Sequence, residues 1–395
     1  LKKILYIVFV FNFLFSLLTT ILPLLVFAIT NSSATSGYIL STFMISLLLI
    51  RILLIKYNFK LNNIAITGLV FYSLGFFLLL IASSNILYFY IGATLLGIGV
   101  GAVAPVLITL ITSINENTNK MVGLHNSFMG AASATAPFAG VYFYYNFPSF
   151  YLYSMLFTLS ISVLLISFFI KLNNEDSNSE KLNKPANNSV IAVFLNKEYL
   201  SNYSIFLLVS ISYGSIIAYL PIYLEQISLR IDIFYFLFWA FFIISQVYVP
   251  RIKKVINERY LLALFMLLLS ISTLLISILN NYIGLITIAV TFGFCYGALT
   301  NLFYIRIAVV KDEKLKTNAF SIFGLMSYLG VGLGAFIFIS IADVSLRLLF
   351  VVSSMFPIVG LLLILILYLV ERLKSMRVKT IESNSEIQNN IGVKK

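Results

Sequence analysis

"GIGVGA", residues 97–102, returns as "GFCYGA" at residues 293–298, and the same displacement carries Lys120 onto Lys316. A second phrase repeats at nearly the same interval: "ILPLLVFAI" (21–29) is echoed by "YLPIYLEQI" (219–227), Leu-Pro on Leu-Pro and closing Ile on closing Ile. Two landmarks in different apolar runs agree on the displacement to within two residues, so the chain states one arrangement twice. If an even number of membrane spans separates the copies, both copies face the same way, which is a parallel repeat.

Composition says what solvent the repeat lives in. The 395 residues are 61% hydrophobic and only 10% charged, with a mean hydropathy of +1.02. A soluble chain carries roughly 45–50% apolar and about 25% charged residues, and no soluble core hides this excess, so the chain is expected in lipid. The net charge of +12 sits in short clusters between apolar runs. That pattern suits an anionic leaflet rather than a nucleic acid. One cysteine, Cys295, excludes an internal disulfide, and one histidine, His125, leaves no set of ligands for a metal.

A hydrocarbon layer about 30 Å thick takes roughly 20 apolar residues per helix. Breaks at Asn, Lys, Ser and Pro divide the chain into twelve such runs, near 4–29, 37–56, 63–83, 86–113, 122–145, 149–171, 199–223, 232–250, 260–279, 282–309, 318–342 and 346–370. The first is too long for a signal-peptide core of roughly 7–15 residues and is read as a retained span. Continuous apolar runs exclude a barrel, whose strands alternate. The expected class is an all-α membrane protein of two six-helix bundles, residues 1–171 and 199–373, joined by a linker at 172–198 and followed by a tail at 374–395.

With both termini cytoplasmic, 24 of the 26 Lys and Arg fall in termini, cytoplasmic connections or their helix ends, and only Arg230 and Arg347 lie outside. That asymmetry is the positive-inside pattern. All 14 acids fall in connections, tails or helix ends, so none is expected at mid-membrane.

The fourth run, "YIGATLLGIGVGAVAPVLITLI" (90–111), and the fifth, "ASATAPFAG" (132–140), resemble the major facilitator superfamily. The first is similar to that family's Gly-rich fourth helix. The second is similar to its antiporter signature, G-x-x-x-G-P-x-x-G, with Ala132, Ala136, Pro137 and Gly140 in register and Ala twice in place of Gly. The connection at 50–63 keeps Arg51, Lys56 and Lys60 but lacks that family's Gly and Asp, while "PRIKKVINERY" (250–260) places Asn257 near the expected acid. The resemblance covers the chain outside the linker and tail. It implies a cell-membrane permease that moves a small organic solute by alternating access, leaning toward export, with uptake or uniport of a small, anionic metabolite as the alternative. It further implies a monomer in the bilayer, with no cofactor, no metal and no nucleic acid, and a coupling proton or ion as a further partner.

The same resemblance puts the first, fourth, seventh and tenth helices around a central cavity. Asn12, Ser16, Thr19 and Thr20 share a face of the first helix, and Thr287, Thr291 and Asn301 a face of the tenth, with Tyr213 and Tyr219 added from the seventh. Hydroxyls also bond to their own helix, so part of this set is expected to be structural. Small residues four apart (Gly97 and Gly101, Gly293 and Gly297, Gly330 and Gly334) serve either fixed packing or smooth rocking faces. Pro23 and Pro221 kink the outer parts of their helices or are simply tolerated there.

Glu225, where the first copy has Phe27, is read either as an end residue pairing loosely with Arg230 or as a proton handle at the outer gate. Arg51 and Arg306, the deepest bases, either snorkel to the inner headgroups or line a cavity suited to an anion. His125 is a polar end residue or a group titrating near neutrality. A membrane-embedded enzyme is the rival from another class, and one His with only end-of-helix acids gives it little to work with. A non-transporting receptor on the same fold is the other. No G-x-x-x-x-G-K-[ST] loop is present for ATP.

Overall fold

The computed structural model describes residues 1–56, 61–82, 85–112, 118–169, 197–308 and 313–392. The linker, the 57–60 connection and the side chains of Lys56, Lys60, Lys120 and Lys316 lie outside what is described. The described residues form thirteen helices and no strand: α1 Lys2–Thr30, α2 Ser33–Lys56, α3 Leu61–Ile81, α4 Ile86–Thr112, α5 Thr118–Asn146, α6 Ser149–Phe168, α7 Lys197–Gln226, α8 Ile231–Ile252, α9 Glu258–Ile276, α10 Tyr282–Ala308, α11 Glu313–Ile337, α12 Ile339–Ala342 and α13 Leu346–Gly392. Backbone groups have no water to bond in hydrocarbon, so apolar runs of this length close their hydrogen bonds internally.

Eleven of these helices are long and apolar enough to cross a membrane. α5, with 29 residues, is the twelfth by length and is poorer in apolar bulk because Gly, Ala and Ser fill its middle. The eleventh expected span, 318–342, is divided: α11 stops at Ile337 and the four-residue α12 follows. The stretch expected as a tail is helical as far as Gly392, continuous with the last span.

Helices end where local chemistry allows. Asn31 takes the left-handed conformation (φ 51°) and donates its N–H to the Phe27 carbonyl, stopping α1. Ser228 (φ 57°) does the same after α7, where Leu229 N–H reaches the Leu224 carbonyl at 2.9 Å. Six prolines, Pro23, Pro105, Pro137, Pro221, Pro250 and Pro357, lie inside helices. The Pro23 carbonyl is satisfied by Ser36 Oγ at 3.0 Å, tying α1 to α2.

Packing repeats in the two halves. In the first, α4 packs on α2 and α3, α1 on α5, and α6 on α3 and α1; in the second, α10 packs on α8 and α9, α7 on α11, and α13 on α9 and α7. The paired glycines serve this internal packing. A Cβ on Gly97 would stand 2.3 Å from the Phe43 carbonyl oxygen of α2, and one on Gly293 2.4 Å from the Phe238 carbonyl oxygen of α8. Gly330 and Gly334 press likewise on α7. All three pairs hold helices together within one half, so the rocking-face reading of them is set aside. Buried hydroxyls add to the second half: Ser215 Oγ lies 2.6 Å from Ser353 Oγ, and Ser212 Oγ 3.2 Å from Thr273 Oγ1, joining α7, α13 and α9.

The halves meet along a seam. α2 packs on α11, and α5 on α8. These two contacts are equivalents under the repeat, because α2 corresponds to α8 and α5 to α11. α1 also touches α7.

Candidate functional site

The seam has two ends: one at Asn31, Asn146, Glu225 and Asp343, called here the Asp343 end, and the opposite one, where α6 stops and α7 starts. Among the described residues every hydrogen bond between the halves lies at the Asp343 end. Asp343, just past α12, accepts from Ala34 N–H and from Ser32 Oγ, both at 2.9 Å, so its carboxylate caps the N-terminus of α2. Tyr145 of α5 donates to Glu225 of α7. Phe138 of α5 lies against Phe236 of α8, ring centroids 5.2 Å apart. A cleft of about 840 Å³ outside this closure is lined by Phe138, Tyr142, Tyr145, Glu225, Arg230 and Asp232.

Close approach of helices makes the closure tight. Tyr219, fully buried, donates to the Ala335 carbonyl at 2.5 Å within the second half. Gly37 of α2 sits directly on that pair: a Cβ there would stand 2.1 Å from the Tyr219 hydroxyl. Deeper along the seam Gly332 meets Met44, and Gly130 meets Ile243.

Past mid-depth the seam contact changes character. The Arg51 guanidinium lies 4.5 Å from the ring centroid of Tyr328, crossing from α2 to α11. Its Nε is buried without a hydrogen-bond partner. Side chains on a helix lean toward its N-terminus, which for α2 is the Asp343 end, so Arg51 is carried toward the bilayer middle. Of the two readings of Arg51, this contact favours the one that turns it toward the second half. A ring face returns roughly 0.5–2 kcal/mol to a cation, and it does not replace the hydrogen bond that the buried Nε lacks. Beside it, Tyr304 packs on Phe320 and Phe323. Tyr213 stacks on Tyr296 at 4.2 Å, with Phe238 and Phe292 alongside.

Arg306 differs. It donates to Glu258 and, at 3.1 Å, to Asn202 Oδ1, and Glu258 also pairs with Lys253. This cluster ties α10, α9, α7 and the end of α8, so Arg306 has protein partners on three sides. Asn257 caps α9 through Arg259 N–H, and the next residue, Glu258, supplies the acid.

The other predicted residues divide. Tyr219 is spent on the Ala335 carbonyl and is not a cavity residue. Ser16 donates to the Ser133 carbonyl (3.2 Å), Asn12 to Val8 (2.7 Å), Thr19 to Phe15 and Ser16, and Thr20 to Ser16, so the polar face of α1 serves backbone. Thr287 bonds to the Ile283 carbonyl and Thr291 to that of Thr287. Thr287 is exposed beside Ile283, on the outward face of α10. Asn301 pairs with Gln246 at 3.1 Å and keeps a buried Oδ1 with no partner. Arg230 pairs with Asp232, not with Glu225. His125 is buried, 3.3 Å from Asn126 Oδ1. Ala132, Ala136, Pro137 and Gly140 are buried in α5, with Gly140 against Leu17 and Ile21 of α1. Tyr328 and Tyr304 were missed, because nothing in the sequence says which aromatic faces an arginine from the other copy.

Two repeated six-helix bundles meeting at a seam are the architecture of a multi-pass membrane protein. The sequence profile described as Major Facilitator Superfamily matches residues 4–335, and the chain belongs to that superfamily. It is a transporter and not an enzyme. No curated protein matches the sequence. Solved structures share the fold at low identity. The nucleoside transporter NupG superposes with a TM-score of 0.76 at 10% identity, covering 93% of this chain and 98% of its own. A bacterial homologue of the human lysosomal transporter Spinster, inward-facing and unoccupied, gives 0.73 at 11%, covering 91% and 95%. The POT family transporter PepTSo gives 0.74 at 10%, covering 92% and 96%.

Proposed function

We propose that the chain moves a small organic solute across the cell membrane by alternating access, and that the conformation described here is closed to the outside. The carrying observation is that, among the described residues, Asp343 with Ser32 and Ala34 and Glu225 with Tyr145 join the halves by hydrogen bonds at the Asp343 end. The charge pattern supports assigning that end to the exterior, since Arg230 and Arg347 are the two bases on that side. The linker and both termini then face the cytoplasm.

The run at Ala132–Gly140 favours exchange with net export. Glu225 is the proton handle in this reading: its carboxylate bonds Tyr145 when the mouth is shut and loses that partner when it opens. Glu225→Gln then abolishes any response of transport to an imposed pH gradient, and an unchanged response removes Glu225 from coupling.

Alternation is tested with spin labels in a Cys295→Ala background. Phe150 and Tyr282, exposed at the Asp343 end, and Phe168 and Leu200, exposed at the other, give one pair across the halves at each end. Two distance populations that change in opposite senses at the two ends are expected. One fixed distance at both ends defeats the reading. Counterflow in proteoliposomes against a panel of metabolites then identifies the solute, because a carrier exchanges label and a receptor does not.

A further inference from the structure

We propose that Arg51, framed by Tyr328 and Tyr304, is the subsite for the anionic head, carboxylate or phosphate, of the transported solute. The inference rests on the transport reading above and adds the class of solute. Arg51 Nε is buried and unpartnered. No carboxylate lies within ion-pair reach of Arg51 among the described residues, whereas Arg306, the other deep arginine, is neutralised by Glu258. The described acids sit at helix ends and connections, and the ion pairs they make are with Arg230, Lys253 and Arg306.

There is room beside it. At Gly324 of α11 an added Cβ would meet, among the described residues, only the Arg51 guanidinium, at 3.8 Å. Tyr304 is half-exposed and within electrostatic reach of both Arg51 and Tyr328. A guanidinium offers a carboxylate or phosphate two parallel N–H···O bonds, and a phenol adds an O–H donor. Every group named here donates to an anion, and a cationic solute would meet repulsion. Arg51 belongs to the first half and Tyr328, Gly324 and Tyr304 to the second, so an anion held here touches both halves and its affinity follows their relative position.

The test uses the full chain in nanodiscs of uncharged lipid. Thermal shift and titration calorimetry are run with inorganic phosphate, benzoate, phenyl phosphate and a series of short mono- and dicarboxylates, each organic anion beside its neutral amide or alcohol. We expect at least one anion to bind while its neutral partner does not. Arg51→Gln should weaken that anion about tenfold or more, as loss of charged hydrogen bonds does. Arg51→Lys should weaken it less, the ammonium lacking the planar fork. The spin-label pairs at 150/282 and 168/200 report whether each variant is folded and still alternates. The assignment is overturned if no anion binds the wild type, if neutral partners bind as tightly, or if Arg51→Gln keeps full anion affinity. Failure of the transport reading looks different: the label distances stay fixed in the wild type, whatever Arg51 binds.

Discussion

The carboxylate of Asp343 accepts the backbone N–H of Ala34 at 2.9 Å, so a loop of the second half caps a helix of the first. An anion at a helix N-terminus stabilises by about 0.3–1 kcal/mol, and loss of a capping side chain costs about 0.5–2 kcal/mol. In the proposed cycle this contact is made while the Asp343 end is shut and broken when it opens. Asp343→Asn should lower the closed population by about two- to fivefold, and Asp343→Ala by more. The check is the ratio of short to long distances for labels at 150 and 282, and an unchanged ratio in Asp343→Ala would show the cap to be idle.

Gly37 is the wedge point of the same closure. A leucine there places atoms on the Tyr219 hydroxyl and near the Ala335 carbonyl oxygen, and buried backbone cannot give way cheaply. Gly37→Leu should fold and hold the Asp343 end open, because the obstruction lies between halves. Single-sided accessibility of that mouth to a membrane-impermeant thiol reagent is the expected result. Loss of the folded protein would count against a seam that opens.

Gly97 makes the opposite case. Its neighbours, the Phe43 carbonyl and Ser46, lie on α2 of the same half, so Gly97→Leu should prevent folding and yield aggregated protein on size exclusion. Gly97→Ala should be destabilised by about 1–3 kcal/mol through overpacking. A Gly97→Leu protein that expresses normally and only transports slowly would restore the rocking role.

Glu258 holds Lys253 and Arg306 together across three helices. Removing one partner of a buried pair costs about 3–5 kcal/mol. These side chains keep 19–28% of their exposure, so about 1–2 kcal/mol is the discounted expectation for Glu258→Gln. It should appear as a lower Tm that high salt partly masks in the wild type. Arg306→Lys, which keeps charge but cannot reach both Glu258 and Asn202, should fall in between.

Much of this was legible along the chain. The repeat of "GIGVGA" in "GFCYGA" foretold two equivalent halves, because two copies of one helix set pack by the same contacts. The hydroxyls on α1 were legible as a face but not as to purpose: a Thr or Ser in hydrocarbon bonds its own helix whenever nothing better is near, and all of those on α1 bond backbone. Glu225 was visible as an asymmetry between the copies, yet its partner Tyr145 lies eighty residues away, and the adjacent Arg230 proved to belong to Asp232.

Length, apolar continuity and the duplicated phrases by themselves determined a lipid-borne helical chain folded as two like bundles, because hydrophobic burial and backbone hydrogen bonding act on local sequence. Only the tertiary structure decided which glycines lie on the seam between the halves, where hydrogen bonds join them, and that Arg51 is left over a tyrosine ring while Arg306 is paired. Those facts depend on contacts between the copies, and the repeat that builds each half carries no record of how the halves face one another.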